Sequence, residues 1–293
     1  MATSTASAEL PAREVLAPPA PRRRFRVPGW ALGLTAWIAG LIFVAPVLWM
    51  VLTSLHSEQD AATNPPALAS ALTLDGYRTF FDSDPIPALI NSASASVIST
   101  LLVLALATPA AYALSIKPVR KWTDTLFFFL STKMLPPVAA ILPIYLIARD
   151  LNMLDNVATL VILYAAMNLP IAVWMMQSFL AEIPKEIIEA AEIDGASLPT
   201  ILRRIILPVA APGLAATALI CFIFSWNELL FARMITSTTA QTSPVFLTGF
   251  ITSQGLFLAK LCAAALVISL PVLIAGFAAQ DKLVRGLTLG AVK

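Results

Sequence analysis

Six long apolar stretches constrain this chain more than any other feature of its sequence. A helix that crosses the bilayer needs about 20 largely apolar residues. The mean hydropathy is +0.82 and only 12% of the residues are charged, whereas an ordinary soluble domain has about 25%. The sequence therefore predicts an all-α integral membrane protein with six transmembrane helices, at residues 30–55, 87–115, 123–148, 157–181, 205–230 and 259–280.

The charged residues lie between these stretches, and their sign alternates from one connection to the next. Connections rich in Lys and Arg stay in the cytoplasm, so we expect both termini there. We expect a flexible tail at 1–29, a six-span domain at 30–281 and a second cytoplasmic tail at 282–293. The basic segments hold Arg22, Arg23, Arg24, Arg26, Lys117, Arg120, Lys121, Lys185, Arg203, Arg204, Lys282, Arg285 and Lys293, and the acidic ones hold Glu58, Asp60, Asp75, Asp82, Asp84, Asp150 and Asp155.

The chain lacks the residues that most catalytic and metal sites require. His56 is the only histidine, which argues against His-based metal ligation and Ser-His or Cys-His catalysis. No phosphate-binding G-x-x-x-x-G-K-[ST] sequence occurs. Cys221 and Cys262 lie in apolar spans without metal-ligand spacing, which is typical of small core residues. We therefore predict no catalytic and no metal-binding residue, which leaves a transport path, a scaffold or a sensor.

A few polar side chains fall inside the predicted spans, where they are costly. Lys133, Asn168, Trp226, Asn227 and Glu228 are our candidates for a solute pathway. They either face a polar cavity or bond across helix contacts and snorkel to an interface, and Lys133 and Glu228 could also pair with each other. The Pro136-Pro137 pair just after Lys133 predicts a bend in the third span.

A polar segment at about 182–204 interrupts the apolar pattern in a predicted cytoplasmic connection. Pro184 suits the first turn of a short helix, Gly195 suits its end, and Ser197 suits the cap of a second one. The segment is predicted to be a helix–turn–helix outside the membrane. Its apolar residues would then be free for a protein partner to cover: Ile187, Ile188, Ile201 and Leu202.

This segment resembles the EAA signature of ATP-binding-cassette (ABC) importer permeases, which reads E-A-A, three residues, G, nine residues, I-x-L-P. The resemblance identifies the segment as an EAA coupling helix. We add the aspartate that precedes the motif glycine to the residues that the motif itself contains. The six spans are similar to those of the MalG-like carbohydrate branch of this family. The ATPase-coupling residues that the resemblance implies are Glu189, Ala190, Ala191, Asp194, Gly195, Ile205, Leu207 and Pro208.

The resemblance also implies partners and a location. It implies a heterodimer with a second permease subunit, two ATPase subunits and an extracytoplasmic solute-binding protein, in the lipid of a bacterial cytoplasmic membrane. ATP and Mg²⁺ would be bound by the ATPases, so this chain would hold no cofactor and would not itself be an enzyme. No nucleic-acid partner is expected.

Three short stretches bear on the solute. "LSTKMLPPVAAILPIY", "GLFLAKLCAAA" and "QDKLVRGLTLGAVK" are similar to polyol permeases for mannitol and sorbitol. The alternatives are a disaccharide importer of the trehalose or maltose type and an ion-driven secondary transporter. An ion-driven transporter favours an inverted repeat and intramembrane carboxylates, and Glu228 is the one plausible carboxylate in a span.

Overall fold

The computed structural model describes residues 28–63, 70–117, 119–252 and 255–291, and residues 1–27 of the predicted N-terminal tail lie outside this part of the chain. The chain divides into two compact units, residues 1–47 and 48–293. In chain order, the helices of the described residues are α1 (Gly29–Ser54), α2 (Glu58–Ala61), α3 (Asp75–Asp82), α4 (Ile86–Ser115), α5 (Trp122–Lys133), α6 (Pro137–Asp150), α7 (Val157–Ala181), α8 (Lys185–Ile193), α9 (Leu198–Ile201), α10 (Leu207–Val209), α11 (Ala211–Trp226), α12 (Leu230–Ile235), α13 (Ser243–Leu247) and α14 (Leu258–Ala291).

The first unit contributes the greater part of α1. Its large apolar side chains are exposed, including Trp37 and Phe43 at 75% and 81%. A helix that is apolar on all sides is typical of a membrane span.

Among the residues that the structure describes, helices α1, α4, α7 and α14 are each long and apolar enough to cross a membrane, and the count there reaches six if each of two bent helix pairs forms one span. The predicted spans at 30–55, 87–115 and 157–181 agree with α1, α4 and α7 to within one residue. The predicted span at 259–280 is the first part of α14, which continues to Ala291. The structure therefore confirms a helical architecture with up to six spans.

Both bent pairs break at residues that interrupt the helical backbone. Helices α5 and α6 meet at 85°, because Pro136 is extended (φ −63°, ψ 120°) just before Pro137 begins α6. This confirms the predicted bend. The other pair, Leu198–Val209 and α11, meets at 81° next to Ala210. The predicted span at 205–230 therefore corresponds to a bent pair, which turns at Ala210 and whose second helix ends at Trp226.

Irregular turns and a small β-ribbon complete the fold. Residues Leu202–Ile206 form a wide π-helical turn between α9 and α10, and Thr248–Phe250 form a 3-10 turn after α13. Strands β1 (Ile251–Thr252) and β2 (Gly255–Leu256) pair antiparallel, with Ile251 opposite Leu256.

The core of the second unit lies where α4, α7 and α11 pack together. Its contacts include a polar chain inside the bundle: Asn168 Nδ2 donates to Ser225 Oγ at 2.9 Å, and that oxygen lies 3.2 Å from Ser99 Oγ. Ser92 and Ser96, at the small-xxx-small spacing, are also buried. Small and hydroxyl side chains at such positions let transmembrane helices approach closely.

The connections gather at two ends of the bundle. We call the end formed by residues 116–121 and 182–204 the basic end, because it carries the Lys- and Arg-rich connections. We call the end formed by residues 55–62, 151–156 and 227–257 the acidic end. Contacts within each end, between Lys117 and Glu192 and between Asp155 and Ala240, hold these connections together. The alternation of charge in the sequence therefore corresponds to two ends of one bundle.

Candidate coupling segment and solute pathway

The segment after α7 folds as a helix, a turn and a second short helix, as the sequence predicts. Pro184 (φ −57°, ψ 129°) stands just before α8, where the prediction had placed it in the first turn. Asp194 follows the last helical residue, and Gly195 has φ +76°. Glycine adopts this left-handed backbone without steric cost. Ser197 precedes α9, but its hydroxyl lies 3.0 Å from that of Thr200 and does not cap the helix.

The inner side of this segment packs on the bundle. Ile188, Ala191 and Ile201 belong to one buried cluster with Tyr112 of α4 and Leu180 of α7. The prediction that Ile188 and Ile201 are exposed is therefore wrong, because the chain's own spans cover them. A displacement of α8 would be transmitted directly to α4 and α7.

The outer side of the segment presents a different set of apolar residues. Ile187, Ile193 and Leu198 are 43%, 86% and 52% exposed, on both sides of Gly195. Leu202, also predicted to be exposed, is partly buried against the cluster. Exposed apolar side chains grouped outside a membrane are typical of an interaction surface.

The motif residues divide between these two sides. Glu189 and Ala190 are exposed, whereas Ala191 is buried. Ile205 packs on the buried cluster, and the last two motif positions, Leu207 and Pro208, are exposed in α10. The motif thus provides both the contact of the segment with its own bundle and part of its outer surface.

One ion pair joins this segment to the connection between α4 and α5. Lys117 Nζ lies 2.5 Å from Glu192 Oε1. Through this hydrogen bond and its charge, Glu192 raises the pKa of Lys117. The pair borders a cavity of about 410 Å³ that is also lined by Tyr112, Gly195 and Leu198. The sequence analysis did not find the pair, because its members are 75 positions apart.

Lys133 lies at the break between α5 and α6. It lines a cavity of about 290 Å³ with Pro136, Pro137 and Phe231, and its ammonium group lies 5.5 Å from the ring centroid of Phe224. It forms no ion pair among the residues that the structure describes.

Glu228 makes a different set of contacts. Its carboxylate accepts hydrogen bonds from the backbone amides of Phe231 (3.0 Å) and Ala232 (3.1 Å) and so caps α12. A direct pair between Lys133 and Glu228, one of the arrangements considered from the sequence, is therefore absent from this conformation.

The other pathway candidates occupy separate places. Asn168 is fully buried in its contact with Ser225. Trp226 is buried and donates from Nε1 to the carbonyl of Ile268 at 3.1 Å. Trp226 and Asn227 line a largely apolar cavity of about 670 Å³ between α11, α13 and α14. The structure thus distributes the five candidates over two cavities, a helix cap and a helix contact.

Comparison with known proteins identifies the chain. Residues 103–288, which include the segment at 182–204 that we call the candidate coupling segment, match the family described as "Binding-protein-dependent transport system inner membrane component". The chain belongs to this family. It is a permease component of such a transport system.

Individual relatives support this membership over most of their length. The probable ABC transporter permease protein y4oR of Sinorhizobium fredii is 37% identical over 87% of this chain and 92% of its own. The trehalose transport system permease protein SugB of Mycobacterium tuberculosis is 34% identical over 90% and 97%. The structure of a bacterial ABC transporter for the import of alginate has a chain with the same fold, with a TM-score of 0.71, 22% identity and coverage of 87% and 96%.

The acidic end of this permease contains an interaction that the sequence analysis missed. The Asp155 carboxylate accepts hydrogen bonds from four consecutive backbone amides, those of residues 237–240, at 2.9–3.2 Å. Burial disfavours the charged carboxylate, but these donors together hold the pKa of Asp155 well below its usual range. In the sequence Asp155 was one acidic loop residue among several, and nothing local indicated partners more than 80 positions away.

Proposed function

We propose that this permease is one of two membrane subunits of an ATP-driven importer for a carbohydrate or sugar alcohol. Its partners would be a second permease, two ATPase subunits that bind ATP and Mg²⁺, and an extracytoplasmic solute-binding protein. The complex would lie in a bacterial cytoplasmic membrane, with the basic end and both termini of this chain in the cytoplasm.

The outer side of the coupling segment is the observation that carries this proposal. Ile187, Ile193 and Leu198 are exposed around the Gly195 turn, next to the acidic side chain of Glu189. An ATPase that covered these residues would bury apolar surface at about 25 cal/mol per Å². Family membership supports this assignment, because a transport component needs a source of energy and this chain has no phosphate-binding loop of its own.

The packing of the segment suggests how force would enter the membrane. Ile188 and Ile201 are fixed to α4 and α7, so a push on α8 would move these spans with it. The breaks at Pro136 and Ala210 provide places where neighbouring helices can change their angle. Nucleotide-driven movement of the ATPases would then become a rearrangement of the bundle.

A hydroxyl-rich solute suits the polar groups that we assign to the pathway. The Lys133 ammonium group and the second N–H of the Asn227 amide offer hydrogen-bond donors, whereas the indole N–H of Trp226 is already bonded to the Ile268 carbonyl. We propose a polyol such as mannitol or sorbitol, on the likeness of three sequence stretches to polyol permeases. A disaccharide is the second candidate, because a relative 34% identical over 90% of this chain is named for trehalose transport.

Co-purification and a solute screen test the proposal. The permease, isolated with its native partners in lipid nanodiscs, should bring down a second permease and an ATPase. A solute-binding protein loaded with the correct solute should stimulate ATP hydrolysis, and the screen compares mannitol, sorbitol, trehalose and maltose. Uptake that continues after the ATPase is removed would contradict an ATP-driven importer and favour an ion-driven one.

A further inference from the structure

Arg203 and Arg204 stand side by side on the stretch of chain that leads into α11. Both side chains are exposed, and neither forms an ion pair with any residue that the structure describes. Their neighbours in sequence turn inward: Ile206 is fully buried, and Leu202 packs on the same apolar cluster as Ile201. The backbone beneath the two arginines is therefore fixed to the bundle, and their charges lie on its outer side.

A wide helical turn brings these two charges together. Residues Leu202–Ile206 form the π-helical turn, and the amide of Leu207 donates to the carbonyl of Leu202, five positions back. Pro208 follows and has no N–H with which to continue an ordinary helical ladder. A π-turn has more residues per turn than an α-helix, so consecutive side chains diverge by a smaller angle. The two arginines can therefore face one anionic ligand together.

Apolar side chains follow the arginines on the way to α11. Leu207 and Val209 are 38% and 49% exposed. The stretch 198–209 meets α11 at 81°, so it runs along the membrane surface when α11 crosses the membrane. Basic side chains next to exposed apolar ones, on a helix that runs along the surface, are typical of a segment in the lipid headgroup layer.

We infer that Arg203 and Arg204 bind the phosphate group of an anionic phospholipid, whose acyl chains cover Leu207 and Val209. Guanidinium groups bind phosphate oxygens through paired N–H donors, and basic residues are attracted to an anionic bilayer surface. The apolar neighbours favour a lipid over a soluble phosphate, because only a lipid can cover them as well. A lipid held here would fix the turn at Ala210 to the membrane surface.

The ATPase is the competing partner for these two charges. Its proposed contact surface, at Ile187, Ile193 and Leu198, comes before the arginines in the chain, whereas the exposed apolar residues beside them lead towards α11 and the membrane. This arrangement favours the lipid. The inference goes beyond the proposed function and uses it only to place the basic end at the cytoplasmic leaflet.

The test is a lipid titration of the permease, purified with its native partners in a neutral detergent. Phosphatidylglycerol is the probe, and native mass spectrometry counts the lipid molecules that stay bound. Phosphatidylcholine, which has no net charge, and glycerol phosphate, which has no acyl chain, are the comparison ligands. Amide hydrogen exchange in nanodiscs, with and without phosphatidylglycerol in both leaflets, reports where the lipid binds.

Four variants separate this site from the general charge of the basic end. Arg203→Gln and Arg204→Gln, singly and together, remove the charges from an exposed surface without changing the buried contacts below it. The double variant Arg203→Lys, Arg204→Lys keeps both charges. Arg120→Gln is the matched control, because Arg120 is exposed at the same end and forms no ion pair in the described part of the chain.

We expect the phosphatidylglycerol concentration for half-saturation to rise about fivefold for each arginine removed, as for one basic residue at an anionic surface. The double lysine variant should stay within about threefold of wild type, and Arg120→Gln should not differ from it. Phosphatidylcholine and glycerol phosphate should each bind about tenfold more weakly. Phosphatidylglycerol in the nanodisc should slow exchange at residues 202–207 about fivefold in wild type and should not slow it in the double glutamine variant.

Equal binding of phosphatidylglycerol by wild type and the double glutamine variant would overturn the inference. An equal loss in Arg120→Gln would also overturn it, since net charge alone would then attract the lipid. Glycerol phosphate that binds as tightly as the lipid would assign the arginines to a soluble phosphate. Loss of the ATPase from the double glutamine variant, with lipid binding unchanged, would assign them to the ATPase. No lipid readout uses transport or depends on which side the basic end faces, so the proposed function can fail while the lipid site stands.

Discussion

Lys117 Nζ lies 2.5 Å from Glu192 Oε1, and this contact connects the loop after α4 with the last turn of α8. Exposed ion pairs contribute little to stability, about 0–1 kcal/mol. Their position can nevertheless fix the orientation of one element on another. Here the pair lies beside the buried contact of Ile188 and Ala191 with α4 and α7, so it restrains rotation of α8 about that contact.

Reversal of the charge at position 117 should uncouple transport. We expect Lys117→Glu to lower solute uptake several-fold, because it replaces an attraction to Glu192 with a repulsion. The double variant Lys117→Glu, Glu192→Lys should restore uptake. Both measurements use proteoliposomes that contain the assembled complex, with ATPase co-purification as a check that docking persists.

Arg120→Glu is the control for that experiment. Arg120 lies in the same connection and is exposed, and it forms no ion pair in the described part of the chain. It therefore reports the effect of net charge alone. Equal losses in Lys117→Glu and Arg120→Glu, or a double variant as poor as the single one, would rule out the orienting role.

The backbone at Gly195 gives a second prediction. Gly195 has φ +76°, and a Cβ added there would meet nothing within 4 Å. A side chain at this position therefore meets no steric clash with its surroundings. It destabilises the fold only because a β-branched residue disfavours the left-handed backbone, by about 1–2 kcal/mol. Gly195→Val should reduce uptake and ATPase co-purification about tenfold, whereas Gly195→Asn should retain most of both, because Asn tolerates this conformation.

Gly249→Val is the matched control for Gly195→Val. Gly249 also has open space around it and does not have a positive φ. If Gly195→Val supports normal uptake, or if Gly249→Val is as damaging, the left-handed turn is not needed for coupling.

The sequence was sufficient to predict the features that depend on local pattern. Span positions follow from runs of apolar residues, and α7 coincides with its prediction at 157–181. The end of α8 follows from the special backbone of glycine at Gly195, and the bend in the third span follows from Pro136 and Pro137. Each of these depends on neighbours within a few residues.

The rest depends on contacts between distant parts of the chain. In the sequence, nothing distinguishes Ile188 and Ile201 from Ile187 and Ile193. Only packing against α4 and α7 determines which of these isoleucines are buried. The Asp155 carboxylate accepts hydrogen bonds from backbone amides more than 80 positions away. Because these donors belong to the backbone, the residue types at those positions do not reveal the contact. The pattern of a single sequence carries no signal for such distant pairs.

Close packing at Gly213 gives a third prediction. A Cβ added to Gly213 would lie 2.6 Å from Cδ2 and 2.9 Å from Cβ of Phe179, where α11 crosses α7. Atoms so near the backbone of Phe179 cannot move aside freely, and overpacking costs about 1–3 kcal/mol. Gly213→Ala should lower the thermal unfolding midpoint of the complex. Phe179→Ala, which removes Cγ and Cδ2, should recover part of the loss in the double variant, and simple additivity of the two changes would refute this contact.

The pathway residues give a fourth prediction. Lys133→Met keeps most of the length of the side chain and removes its charge at the cavity beside the Pro136–Pro137 break. We expect uptake to fall about tenfold while the ATPase still co-purifies, because the coupling segment is unchanged.

Glu228→Gln keeps one acceptor for the α12 amides, so its effect on uptake should be milder than that of Glu228→Ala, which leaves two of these amides without their partner. Normal uptake in both Lys133→Met and Glu228→Ala would assign these residues a purely structural role.

The depressed pKa of Asp155 gives a fifth prediction, on acid stability. The native state favours the charged carboxylate, so its contribution is fully present above the ordinary aspartate pKa of about 3.9. As the pH falls below that value, the unfolded chain takes up a proton that the native state does not bind, and the contribution of Asp155 to the free energy of unfolding is lost progressively.

Thermal unfolding of wild type and Asp155→Asn in the same nanodiscs should therefore differ by about 5 °C at pH 7. The difference should be constant down to about pH 5 and should shrink towards pH 3. Other acidic groups titrate in both proteins and cancel in the difference. A gap that stays constant to pH 3, or one that widens in acid, would mean that the Asp155 carboxylate is not held in its charged form by the amides of residues 237–240.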